Sequence, residues 1–422
     1  MSPKLLLLPA LSFRLISVVA FGLLAGCNEH RSPVDSMENN PRSAARLIGT
    51  KVPSSDREVS ERIQELPETD SLSSIQNTIA PQPNSGSSDP RPPLLAVRLH
   101  DNTVFGVPIG LFSDRTLLMK SDGSIQHITK EDIVHQAVLK DRFQAISRNE
   151  LARQLRAEFG KNYLVRSENP YLIVARSEHL EGWAQRFRSL YHSFNFYCST
   201  HGLATREIEF PLVAVVFGTR SEFIRYANTA GIKLPEFCVG YYFIDSNRIL
   251  LYESSDMSKT ETQNTISHEA THQLAFNMGL HQRRASTPLW LIEGLATMFE
   301  SPRLSGLQSR DGKSLWPASR RSTWQALSKH PPAVQRMVTA LIHGDSPFET
   351  DFENAYTVSW AMTTYLSQRQ SQQFATYLQR VGNMPPFQEY DASHRVADFQ
   401  RTFGTDARLL TSKLVKHLET LD

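Results

Sequence analysis

Two short stretches of this chain dictate more of its fold than any other: Ser267-His268-Glu269-Ala270-Thr271-His272 and, downstream, Trp290-Leu291-Ile292-Glu293-Gly294-Leu295-Ala296. His268 and His272 are four positions apart, so on an α-helix both imidazoles point to one face and can grip a single metal ion. Glu269, beside them, can reach a water held at that ion as a general base. Glu293 supplies a third, anionic ligand. Two neutral histidines and one carboxylate leave Zn²⁺ an open fourth position, the mark of a catalytic rather than a structural site. The pattern therefore asks for two helices that bring these ligands together.

Both segments carry helical periodicity. Ile266, Ala270 and Leu274 form an apolar row at i, i+4 and i+8. Thr260 followed by Gln263 fits a capping box near the start, and Gly279 fits the stop. Leu289, Ile292, Ala296 and Phe299 recur in the second segment, with Pro288 near its first turn, where proline is tolerated. Glu300 follows Glu293 on the same helical face; it is either a group that orients a ligand imidazole or a surface carboxylate. The competing reading of the whole pattern is two ordinary amphipathic helices with solvent-facing His and Glu.

H-E-x-x-H with a downstream W-L-x-E-G-x-A resembles the gluzincin branch of zinc metallopeptidases, the thermolysin and aminopeptidase-like superfamily. On that resemblance His268, His272 and Glu293 are zinc ligands and Glu269 is the catalytic base. Residues 273 to 292 separate His272 from Glu293, close to the gap in the aminopeptidase-like members. The metzincin pattern would need Gly at 275 and His at 278, where this chain has Ala275 and Met278. His281 lies past the stop at Gly279 and is either a substitute ligand or a surface histidine. The layout is similar to that of uncharacterised exported bacterial lipoproteins of the superfamily, which implies an activity but no substrate. The implied fold is α+β: a zincin-like body with a mixed-sheet lobe and a helical lobe. In gluzincins a strand just before the zinc helix forms a sheet edge that pairs with extended substrate. The resemblance assigns that task to Arg248, Leu250 and Tyr252, against the alternative of an ordinary inner strand. It also implies an oxyanion-supporting tyrosine on a later helix. Tyr356, near a helix start, is the candidate, with a packed aromatic as the other reading; Tyr365 and Tyr377 look like core.

The amino terminus speaks to the compartment. Lys4 and Arg14 precede an apolar run from Leu15 to Leu24, and Leu24-Ala25-Gly26-Cys27 follows. Small residues before a cysteine at the end of such a run match a bacterial lipoprotein signal, with residues 1–26 removed and lipid on Cys27. A plain secretory signal is the alternative. The run is shorter than the roughly 20 residues a membrane span needs. Of the three cysteines, Cys198 and Cys238 remain, either paired in an oxidising compartment or as separate buried thiols. The charge is nearly balanced, with Lys+Arg 45 against Asp+Glu 43, and no basic stripe interleaved with aromatics points to nucleic acid.

Residues 27–93 are polar and rich in proline, a linker composition. Residues 94–140 alternate in β fashion, with a hairpin signal at Asp122-Gly123, and suggest a small β-barrel-like module. Residues 141–256 read as α+β. A helix is expected over 147–159, strands over 171–175 and 212–217, and a long helix over 181–198 faced by Trp183, Phe187, Leu190 and Phe194. A hairpin, Gly240 to Phe243 and Arg248 to Tyr252, leads into the zinc helix. Residues 257–422 are mainly helical, over 333–342, 355–368, 372–381 and 406–421, with Arg303 to Trp316 a loop. The sequence thus leads to the expectation of a lipid-tethered zinc peptidase of the cell envelope acting on peptides or proteins. Alternatives are a non-catalytic envelope scaffold and a zinc hydrolase of peptidoglycan cross-links.

Overall fold

The computed structural model describes residues 92–176, 178–234, 238–253, 259–306, 315–317 and 320–421. The lipoprotein signal, Cys27, the 27–91 linker, the Thr260 side chain and most of the Arg303–Trp316 loop lie outside them. Among the described residues no helix is long and apolar enough to cross a membrane.

The chain is mixed α+β. Strands β1 (Pro93–Leu99), β2 (Thr103–Leu111), β3 (Arg115–Met119), β4 (Ile125–Thr129) and β5 (Ile133–Arg142) form one antiparallel sheet in the order β4-β3-β2-β1-β5. These five strands fall where the β-barrel-like module is expected, but among the described residues the sheet is not closed: β4 and β5 are its two ends and do not pair with each other. The Asp122-Gly123 turn forms as its sequence requires. Gly123 takes φ +76°, and the Asp122 carboxylate accepts from the Ser124 N–H and hydroxyl.

The second sheet contains β6 (Leu164–Glu168), β7 (Tyr171–Ala175), β8 (Leu212–Phe217), β9 (Gly240–Phe243) and β10 (Arg248–Tyr252), in the order β6-β7-β8-β10-β9. β7, β8 and β10 run parallel, and β6 and β9 are antiparallel edges. Alternate residues of the inner strands face two cores. Tyr171, Ile173, Ala214, Val216, Ile249 and Leu251 pack beneath helices α2 (Leu180–Thr200) and α4 (Lys259–Asn277). Leu172, Val174, Val213, Val215 and Leu250 pack beneath α1 (Arg148–Phe159) and α3 (Arg220–Thr229). Ser147 and Thr219 cap α1 and α3 by accepting from the N–H three residues on. Phe187, Leu190 and Phe194 of α2 are core, as the aromatic stripe implies.

The helical lobe comprises α5 (Leu289–Met298), α6 (Arg321–Leu327), α7 (Pro331–His343), α8 (Pro347–Thr350), α9 (Phe352–Arg369), α10 (Ser371–Gly382), α11 (Ala392–Phe403) and α12 (Ala407–Leu418). α9 is its axis: every residue from Ala355 to Ser367 is buried against surrounding helices. α5 presses onto α9 at Gly294, where a Cβ would lie 2.6 Å from the Ser359 carbonyl oxygen. The β-module docks through its β3–β4 hairpin. The Ile125 N–H donates to the Asp245 carbonyl (2.6 Å) in the β9–β10 turn, and Arg283 donates to the Gly123 carbonyl (2.6 Å).

Two expectations are resolved by packing. Cys198 and Cys238 are separate buried thiols in different cores, not a disulfide. β10 is not a sheet edge, because it is hydrogen-bonded to β8 on one side and β9 on the other. Its Arg248, Leu250 and Tyr252 belong to the face opposite α4. Leu250 lies in the α1/α3 core, Arg248 is bound by Glu158 (2.7 Å) and the Tyr226 hydroxyl (2.8 Å), and the Tyr252 ring lies 5.4 Å from Phe223. None of the three lines the face that carries the histidines, and the free edge beside that face is β9.

Candidate metal centre

α4 is buried almost all round, so its polar residues need partners within the protein. Gln273 donates to the carbonyls of Val213 (3.2 Å) and Asn247 (2.6 Å), which pins the helix to the sheet. The Arg186 guanidinium of α2 holds the Ser267 hydroxyl and the Ser305 carbonyl. Gly279, at φ +81°, ends the helical run as the sequence suggests. With α4 fixed this way, His268 and His272 project toward α5.

Their donors converge with that of Glu293. His268 Nε2 lies 3.0 Å from His272 Nε2 and 3.1 Å from Glu293 Oε2, and His272 Nε2 lies 3.5 Å from the same oxygen. All three side chains are buried. The fit to a metal ion can be tested on these separations. Tetrahedral donors at about 2.0–2.1 Å from zinc stand roughly 3.3 Å apart, close to the values seen. Two imidazole nitrogens and a carboxylate oxygen that converge in a buried site also offer the donor set a divalent cation takes. The cluster His268–His272–Glu293 could therefore hold a metal ion. His281, the substitute ligand, is buried with both ring nitrogens unpartnered, but it does not join the convergent donors.

Glu300 occupies the orienting position. The His268 Nδ1–H donates to its Oε1 (2.9 Å), which leaves Nε2 as the ligating atom. Burial opposes a charged His268, yet Glu293 and Glu300, one at each ring nitrogen, outweigh it and raise its pKa. Burial also opposes ionisation of Glu293, and His272 and His268 offset it and hold the carboxyl well below the usual range. The negative potential that favours a proton here favours a metal cation as well.

Glu269 lies beside the cluster with its two oxygens in different situations. Oε2 accepts the Tyr242 N–H of β9 (2.7 Å), whereas Oε1 is buried without a partner. Burial chiefly raises the Glu269 carboxyl, with His268 and His272 acting against it. β9 comes this close because of Gly240, whose missing Cβ would lie 2.8 Å from Thr265 Cγ2 and 3.4 Å from Glu269 Cγ. The Tyr356 ring is 6.2 Å from the His268 ring, in the layer next to the cluster. The competing tyrosines are elsewhere: Tyr377 stacks on Trp290 and Tyr365 meets His417. Sequence reasoning missed the contribution of β9. Its only local signal was a glycine opening an aromatic strand. It also missed Arg320, whose guanidinium lies 5.3 Å from the Tyr356 ring centroid.

An α+β body with a buried two-histidine, one-glutamate cluster between helices defines a protein able to hold a metal ion. The model of a family described as protein of unknown function (DUF1570) matches residues 262–388. That segment contains His268, Glu269, His272, Glu293, Glu300, Arg320 and Tyr356. No curated protein matches the chain.

Proposed function

We propose that this protein is a gluzincin-like zinc peptidase, exported and tethered to an envelope membrane through lipid on Cys27. The observation that carries the reading is the buried convergence of His268, His272 and Glu293 beside Glu269 Oε1, an acceptor without a partner.

His268, His272 and Glu293 would hold the ion. When bound, zinc supplies Lewis-acid polarisation of a carbonyl and lowers the pKa of water. Glu269 takes a proton from the attacking water at Oε1 and passes it to the leaving amine, while the Tyr242 N–H keeps the carboxylate in place through Oε2. Burial favours this exchange by bringing the carboxyl nearer to neutral pH. Glu300 fixes the His268 tautomer. Tyr356 donates to the oxyanion that develops on the substrate carbonyl. The outer edge of β9, adjoining Glu269, takes the place of β10 as the strand along which an extended peptide lies.

The test is the Glu269→Gln variant of the full chain, assayed with randomised peptide pools. Turnover should disappear while metal content stays at the wild-type level, because a base is removed and no ligand is. Cleavage by Glu269→Gln at the wild-type rate would refute the mechanism. A wild-type protein that cleaves no pool, peptidoglycan cross-links included, would favour the scaffold reading.

A further inference from the structure

We propose that Arg320 is a substrate-binding residue that recognises a carboxylate, so that the site takes peptides bearing a free carboxylate near the bond to be cut. The inference rests on the peptidase reading above and names the substrate class of that same site.

Arg320 immediately precedes α6 and is 4 % exposed. The other buried arginines among the described residues are answered by oxygen. Arg186 has the Ser305 and Gln263 carbonyls and the Ser267 hydroxyl, Arg395 has both oxygens of Asp345, and Arg284 has Asp245. The Arg320 guanidinium has no hydrogen-bond acceptor and no carboxylate among the described residues; its Nε, like those of Arg186 and Arg284, is sealed from solvent without a partner, but unlike them it has no oxygen at its other nitrogens. Among the described residues its one side-chain interaction is with the face of Tyr356, at 5.3 Å from the centroid. Tyr356 in turn lies 6.2 Å from His268, a ligand of the metal cluster.

A guanidinium remains charged at any working pH, and a buried charge without a counter-charge is strongly disfavoured. An aromatic face offsets part of that cost and leaves the N–H groups at the edge of the guanidinium unanswered. Those groups form a fork that matches the two oxygens of a carboxylate. The position, one ring away from His268, puts such a carboxylate beside the reacting carbonyl and not on a remote surface. The carboxylate has two possible sources, the C-terminal α-carboxylate of a peptide or an Asp or Glu side chain.

The test uses the full chain on a Glu269→Gln background, which binds without turnover. Three pools of randomised hexapeptides are offered. One has a free C-terminus and no acidic residue, one is amidated with a single Asp, and one is amidated with no acid. Retention by the metal-loaded protein is read by equilibrium dialysis and mass spectrometry. One carboxylate pool should be retained about tenfold to a hundredfold over the neutral pool, the range expected of charge-assisted hydrogen bonds. Which pool it is identifies the source. Arg320→Gln on that background should erase the preference, and Arg320→Lys should restore part of it. Equal retention of all three pools, including none of any, overturns the proposal whatever the variants do. So does a preference that survives Arg320→Gln. A preference lost in Arg320→Gln without cleavage of any pool by the wild type would leave the carboxylate site standing and sink the peptidase reading. Cleavage without preference would do the reverse.

Discussion

Gly294→Ala offers a demanding prediction, because it changes one methyl group next to a ligand without touching the ligand. Gly294 follows Glu293 on α5 at the closest approach to α9. An added Cβ would lie 2.2 Å from Thr363 Oγ1, 2.6 Å from the Ser359 carbonyl oxygen and 3.0 Å from the Ser359 carbonyl carbon. The Thr363 hydroxyl can rotate away. The Ser359 carbonyl is helix backbone and cannot, so α5 has to retreat by roughly half an ångström, about the tolerance of a functional site. Overpacking of this kind costs about 1–3 kcal/mol, and the better helix propensity of alanine returns about 1 kcal/mol. The net loss is about 0–2 kcal/mol, a drop of at most a few degrees in Tm. The larger effect falls on the cluster, because the retreat shifts Glu293 Oε2 from its present placement against both imidazoles. Zinc affinity, measured by competition with a chromophoric chelator, should fall at least about tenfold. Gly106→Ala in the β-module is the control: its Cβ would lie 2.6 Å from the Met119 carbonyl oxygen, far from the cluster. It should lower Tm without changing zinc affinity. Wild-type zinc affinity in Gly294→Ala would refute the idea that the α5–α9 contact sets the position of Glu293.

Glu300→Gln should weaken zinc binding by about 10–100-fold while leaving the fold intact, since it disturbs the His268 Nδ1–H contact and removes no ligand; unchanged affinity would make Glu300 a bystander. Tyr356→Phe should lower kcat by about 10²–10³ with little change in KM or zinc content, the cost of one oxyanion donor; wild-type kcat would remove it from the mechanism. His281 gives a pH prediction. Burial, with His272 adding to it, depresses its pKa from the ordinary 6.5 to about 3. Between these values the unfolded chain binds a proton that the folded chain refuses. The stability is therefore full above about pH 6.5 and is lost as pH falls toward about 3. Between pH 7 and 4.5 this amounts to about 3 kcal/mol at most. In chelator-treated protein His281→Phe should remove that part of the acid sensitivity seen in urea unfolding, and equal pH dependence in both proteins would contradict it.

The metal helix and its partner were legible in the sequence because both signals are local. The i, i+4 histidines and the row Ile266, Ala270, Leu274 can be satisfied only by a helix, and Glu300, seven residues after Glu293, falls in the turn that ends α5 and keeps to the same side. The Asp122-Gly123 turn and the alternating runs around it gave the β-module for the same reason. The position of β10 was not legible. Gly240–Phe243 and Arg248–Tyr252 are both short and largely apolar, and a hairpin does not say which of its strands continues the sheet. That choice is made by β8, which pairs with β10 in parallel. α11 escaped notice because its buried face includes Arg395 and Asp398, which ion-pair with Asp345 and Arg380 and break the apolar period. α6 and α8 are too short to show a period. Arg320 drew no notice because its meaning lies in what surrounds it in space.

The most direct measurement is the metal content of the purified full chain, by mass spectrometry of the metal with the protein quantified in parallel. One zinc per chain is expected for the wild type and for Glu269→Gln, and none for the His268→Ala/His272→Ala double variant with its circular dichroism spectrum retained. Metal should also leave as pH falls, because only neutral imidazole ligates. A folded double variant that keeps one zinc per chain would contradict the assignment of His268, His272 and Glu293 as the metal site.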